Sequence, residues 1–112
     1  MIYIFSAFYA EAKNIIDHYG LKKEKSPEMV RFDVFANESI RLVITGVGEI
    51  NAAAAVSNIG GAYGISTDDE ILNVGCGAGF SSDICLGSIF LGNKLTEQMT
   101  GRTVYPDMLM KA

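Results

Sequence analysis

The chain has 112 residues, 49% hydrophobic and 20% charged, which is one domain's worth of sequence and too apolar to be disordered by composition. Nine Lys and Arg against thirteen Asp and Glu leave a net charge of −4. With no basic block, the clustered positive face that nucleic acid requires is excluded. No apolar run reaches the roughly 20 residues of a membrane-spanning helix, and the opening MIYIFSAFYAEAK lacks a basic stretch ahead of its apolar run, so it does not read as a secretory signal. Neither nucleic acid nor membrane is an expected partner. Cys76 and Cys85 read as reduced thiols of a cytoplasmic protein.

Residues 1–7 (MIYIFSA) predict a buried strand. Over residues 8–19, Ala12, Ile15, Ile16 and Tyr19 recur at helical spacing, and Gly20 stands where a C-capping glycine belongs. Residues 21–29 are charged and carry Pro27, which predicts an exposed connection. In residues 30–36, Val30, Phe32 and Val34 alternate with Arg31 and Asp33, the pattern of a strand with one wet face. A turn signal at residues 37–39 and an apolar run at residues 40–45 make a hairpin of the pair. Residues 49–59 are Ala-rich and predict a helix that Gly60 and Gly61 end. Residues 71–74 read as a short strand, 81–85 as a turn and 87–95 as another strand. Alternating strands and helices predict one α/β domain over residues 1–112, with a mixed, mostly parallel sheet flanked by helices. The strands look buried on both faces, yet so short a chain buries only part of its surface; either the core is small or a partner supplies the rest.

Three segments that follow strands could carry chemistry, because open α/β sheets bind ligands at strand ends. In the first, Glu11 falls in the first helical turn, where the helix dipole favours a carboxylate whether or not it meets a ligand. In the second, Thr45-Gly46-Val47-Gly48 can aim backbone N–H groups at a ligand from a strand-to-helix turn. It does not fit the dinucleotide fingerprint, because Asn51 stands at the third glycine position. In the third, Gly75, Gly77 and Gly79 alternate around Cys76 and Ala78 and let the backbone approach a flat ligand. Cys76 reads more readily as a small buried thiol than as a nucleophile, which needs a positioned base. His18 reads as a surface or satisfied core residue, and one His with two Cys makes a poor zinc set.

Together and in this order, IFSAFYAEA, TGVGEINAAAA and ILNVGCGAGF followed by LGSIFLGNKL resemble the nucleoside phosphorylase/nucleosidase superfamily. The branch they are most similar to is the 5′-methylthioadenosine/S-adenosylhomocysteine nucleosidases. The resemblance implies the N-terminal half of that fold, cleavage of purine nucleoside N-glycosidic bonds, an adenine nucleoside as ligand, no cofactor, no metal and a homo-oligomer. It implies that Glu11 positions or activates the attacking water, that Val47 lies against ribose, and that Cys76, Gly77 and Ala78 line the base and ribose pocket beside Ala7. Phosphorylases of the hexameric type place arginines near the first and third segments. Here SAFYAEA and ILNVGCG contain no Arg or Lys, so a phosphate dianion lacks its charge partners and water is the implied nucleophile.

Two departures qualify this. Cys76 replaces a usual Ser. Family chains continue into a second half that supplies a ribose-binding Glu and an Asp that protonates the purine, and Asp107 stands in no such context. The expectation is therefore a catalytically incomplete, self-associating fragment or truncated paralogue. The alternative is a non-catalytic adenine-nucleoside-binding or interaction module.

Overall fold

The computed structural model describes residues 1–106, so Asp107 and the closing MLMKA lie outside the described residues. Its contacts divide into two compact units, Met1–Gly77 and Ala78–Ala112. In chain order the first unit holds β1 (Ile2–Ser6), α1 (Tyr9–Tyr19), β2 (Lys22–Lys23), β3 (Asp33–Ala36), β4 (Ile40–Ile44), α2 (Glu49–Tyr63) and β5 (Glu70–Asn73). The strands form one five-stranded sheet in the order β2-β3-β4-β1-β5.

The α/β class and the mixed sheet are as the sequence predicts. The expectation of a mostly parallel sheet is corrected. β1 pairs parallel with β4 and with β5, but β3 pairs antiparallel with both β2 and β4. The local cause is Asn37. Its Oδ1 accepts the N–H groups of Ser39 and Ile40, both at 2.8 Å, and closes a tight hairpin that returns β4 against β3.

Strand alternation splits the core between the two sheet faces. Tyr3, Phe5, Val34 and Val43 pack with Ala55 and Ile59 of α2. Ile4, Ile40 and Leu42 pack with Ala12 and Ile16 of α1 and with Leu21. β1 and β4 supply half of the buried core residues, and Tyr3, Leu42 and Val43 among them are almost wholly enclosed.

Three predicted boundaries change. The strand expected over residues 30–36 begins only at Asp33. The segment expected as a plain exposed connection contains β2, which adds to β3 after Gly20 turns the chain with φ 63°. α2 does not end at Gly60-Gly61 but runs to Tyr63 and stops at Gly64, φ 69°. Tyr63 packs against the Tyr3–Ile59 cluster, and that tertiary contact outweighs the cost of two helical glycines, about 1 kcal/mol each. The C-terminal half of α2 also fastens the segment between β2 and β3. Tyr63 OH donates to Glu24 Oε2 at 2.6 Å, with Ser26 Oγ at 3.0 Å. Asn58 Nδ2 donates to the Met29 carbonyl at 2.9 Å, and Asn58 Oδ1 accepts Arg31 N–H at 3.0 Å. The Arg41 guanidinium lies 4.1 Å from the centre of the Tyr63 ring.

The second unit holds β6 (Leu95–Thr96) and β7 (Thr103–Val104), paired antiparallel. The strand expected over residues 87–95 is corrected: only its last residue enters β6. Gly87 takes φ 87°, and Ile89, Phe90 and Leu91 are exposed. The run is apolar, but no neighbouring strand pairs with residues 87–94 among the described residues. No helix among the described residues is long and apolar enough to cross a membrane.

Candidate functional site

β4, β1 and β5 are adjacent and parallel, so their C-terminal ends share one edge of the sheet. The three glycine- and alanine-containing segments leave from that edge. The ladder bonds continue past the strands and hold the segments in register. Thr45 N donates to the Ser6 carbonyl at 2.8 Å, Gly46 N to the Ala7 carbonyl at 3.1 Å, and Val74 N to the Phe5 carbonyl at 3.0 Å. The first segment is thereby tied to the second on one side and to the third on the other.

Glu11 sits in the first turn of α1, as predicted. It is half-buried, and it is not simply solvated. Its Oε2 accepts the backbone N–H of Cys76 at 2.7 Å, across 65 residues of sequence. A Cβ added at Gly75 would lie 3.4 Å from the same oxygen, so the loop passes the carboxylate at contact distance. Two candidate segments that are remote in the chain therefore meet at one carboxylate.

The other predicted residues fall as follows. Ala7 is half-buried at the end of β1, with its carbonyl taken by Gly46. Val47 stands at the crest of the loop between β4 and α2 and is 61% exposed. That loop turns on Gly46, φ 85°, and Gly48, φ 93°, values that side chains rarely adopt. Cys76 and Gly77 follow β5 on the open side. The expectation of a buried Cys76 thiol is corrected: the residue is exposed, and both cysteines are free. Peptide N–H bonding to Glu11 holds its backbone, and nothing encloses its side chain. Ala78 belongs to the second unit and is not among the residues brought together here. His18 is exposed, with its ring edge-on to Tyr19 at 4.7 Å.

Three neighbouring polar groups escaped the sequence reading as individuals. Thr45 is buried and its hydroxyl donates to the Gly46 carbonyl at 2.7 Å. Asn51 Nδ2 donates to the Val47 carbonyl at 2.7 Å. The spacing of four between Val47 and Asn51 is a signal the sequence does carry, because a short amide in a first helical turn reaches that far back. Ser6 is fully buried at the end of β1, and its hydroxyl has no partner among the described residues.

Chemically, the assembly offers the half-buried Glu11 carboxylate, the exposed Glu49 in the first turn of α2, and a set of backbone groups on glycine turns. The segments spanning residues 6–12, 45–51 and 73–77 contain no Lys, Arg or His. Such a surface suits a neutral, flat, oxygen-bearing ligand better than an anion. No family model, no curated protein and no solved structure matches this chain.

Proposed function

We propose that this sheet edge binds an adenine nucleoside of the methylthioadenosine/S-adenosylhomocysteine class, and that Glu11 is the base that activates water against its N-glycosidic bond. The observation that carries the reading is the Glu11–Cys76 hydrogen bond at 2.7 Å. It joins the two segments whose motifs resemble the base-activating and pocket-lining segments of the nucleosidases. The reading also takes the sheet as the N-terminal half of a phosphorylase/nucleosidase-like fold.

In the reaction, Glu11 takes a proton from water as the oxygen bonds to C1′. The electrons of the C1′–N9 bond leave with adenine, which needs a proton to depart. The residues assembled here supply the base and not that acid. A positioned general acid contributes about 10²–10⁴-fold, so binding is the robust activity of this chain and cleavage is slow. The lack of cationic side chains in the three segments supports water over phosphate as the nucleophile. Read without cleavage, the same half-site is a nucleoside-binding module. Two free cysteines suit a reducing, cytoplasmic setting.

The test is calorimetric binding of methylthioadenosine together with chromatographic assay of adenine release, with and without phosphate. The expected result is saturable binding, with release that is indifferent to phosphate and lost in Glu11→Gln while binding persists. Release that requires phosphate, or an absence of binding, overturns the reading.

A further inference from the structure

We infer that the free edge of β5 pairs with β5 of a second copy of this chain, antiparallel and about a two-fold axis at Leu72, so that two five-stranded sheets join into one. The pairing needs no nucleoside and stands or falls apart from the binding site.

The sheet has two edges, β2 and β5. An edge strand leaves a row of N–H and C=O groups without partners, and shortness, lysines or proline are the usual guards against stray pairing. β2 is guarded. It is only Lys22-Lys23, both exposed, with Lys25 close behind. β5 is not guarded. It runs Glu70-Ile71-Leu72-Asn73 with no Lys, Pro or Gly, and Ile71 is 52% exposed. Glu70 N–H donates to the Met1 carbonyl at 3.1 Å and Val74 N–H to the Phe5 carbonyl at 3.0 Å. The even-numbered residues thus direct their backbone groups at β1, and strand alternation turns those of Ile71 and Asn73 to the open side. No strand covers that side among the described residues.

Charge selects the partner and its direction. Asp68, Asp69 and Glu70 crowd one end of β5, and residues 73–77 at the other end carry no charge. Parallel addition of a second β5 would set the two acidic ends side by side, and like charges across an interface are costly. Antiparallel addition lays each acidic end against the uncharged end of the other copy. Backbone parity then fixes the register. Ile71 faces Asn73 of the partner subunit, and Asn73 faces Ile71 of the partner subunit, with about four ladder bonds between them. Leu72, half-buried on its own, lies on the axis against Leu72 of the partner subunit. Such a self-complementary contact closes on itself and gives a dimer. Addition to β2 of another copy would meet the lysines and would not close. The paired area is small, so the dimer forms only as concentration rises.

The experiment follows the full chain, Ile71→Pro and Ile71→Lys by sedimentation over a concentration series, with thermal melts of each. Pro at this position removes an outward N–H and leaves the bonds to β1 in place. Lys keeps the strand and guards its edge as β2 is guarded. The parent is expected to pass from monomer to dimer, and both variants to need about tenfold higher concentration or more, the value of one or two lost hydrogen bonds. A second arm replaces Cys76 and Cys85 by Ser, adds one new cysteine and applies a mild oxidant. Leu72→Cys is expected to form a disulfide between copies. Opposed residues of that kind lie about 4.5 Å apart between Cα atoms, and a disulfide spans about 4.4–6.8 Å. Glu70→Cys, which faces Val74 of the partner subunit, is expected to form none. The crosslinking arm does not depend on the Ile71 variants folding. A parent that stays monomeric throughout overturns the pairing. Association undiminished in both Ile71 variants overturns it too, and assigns association to another surface. Crosslinking at position 70 and not at 72 overturns the register.

Discussion

Glu11 shows how much a single side chain can organise. Its carboxylate accepts the Cys76 N–H at 2.7 Å, a charge-assisted bond of the stronger kind. Gln keeps an acceptor at that position, and Ala keeps none. Hydrogen exchange is therefore expected to separate the two variants: the Cys76 amide stays protected in Glu11→Gln and exchanges faster in Glu11→Ala. Equal protection in both would mean that the carboxyl does not hold the loop. Glu11 was legible in the sequence as a first-turn carboxylate after a strand. Its partner was not, because the meeting depends on β5 lying beside β1, and no local pattern states which strands pair. The exposure of Cys76 was missed for a related reason, since cysteine composition favours burial while the loop after β5 lies open.

At the scale of elements, the helices and the central strands were readable and the ends were not. The 3.6-residue spacing of Ala12 and Ile16 marks the buried side of α1, and Gly20 marks its end. α2 has almost no polar face, so its length is set by what it packs on rather than by its own pattern. That is why Gly60-Gly61 reads as a stop and behaves as helix interior. Gly61 is exposed, and a Cβ there meets nothing within 4 Å. Gly61→Ala is therefore expected to stabilise the fold by about 0.5–1 kcal/mol, measured by urea unfolding; a loss of stability would contradict the continuous helix. Tyr63 tests the other end of α2. Burial raises its phenol above the ordinary value of 10.0, and its hydrogen bond to Glu24 raises it further. The fold therefore favours the protonated phenol. That contribution is fully present below the unfolded value and is lost as pH rises through the folded one. Above about pH 10 the parent is expected to lose stability more steeply than Tyr63→Phe in denaturant melts, and parallel alkaline limbs would contradict the Tyr63–Glu24 bond.

At the scale of the molecule, the two units differ in character. Met1–Gly77 encloses two core clusters on opposite faces of its sheet. In the second unit Phe80, Leu86, Ile89, Phe90 and Leu91 are all exposed, the first two completely. Exposed apolar side chains in such number favour association, so sizing chromatography at micromolar concentration is expected to show a species larger than one chain. A strict monomer would contradict this. The sequence showed that residues 87–95 are apolar but not what they pair with, because hydrophobic patterning reports a need for burial and not the partner that meets it. The α/β class was legible from alternation alone. The antiparallel β3–β4 hairpin was legible too, from its turn signal at residues 37–39; the second antiparallel pair was not, because β2 lies in a charged segment that reads as an exposed connection.

Ala7, Glu11, Val47 and Cys76 are proposed to form one nucleoside-binding edge. The most direct measurement is the amide nitrogen–proton NMR spectrum of the labelled chain as methylthioadenosine is added. Saturable shifts are expected, concentrated in residues 7–11, 45–51 and 74–77, with the residues of β2 and β3 unmoved. Shifts confined elsewhere, or none at millimolar nucleoside, would contradict it.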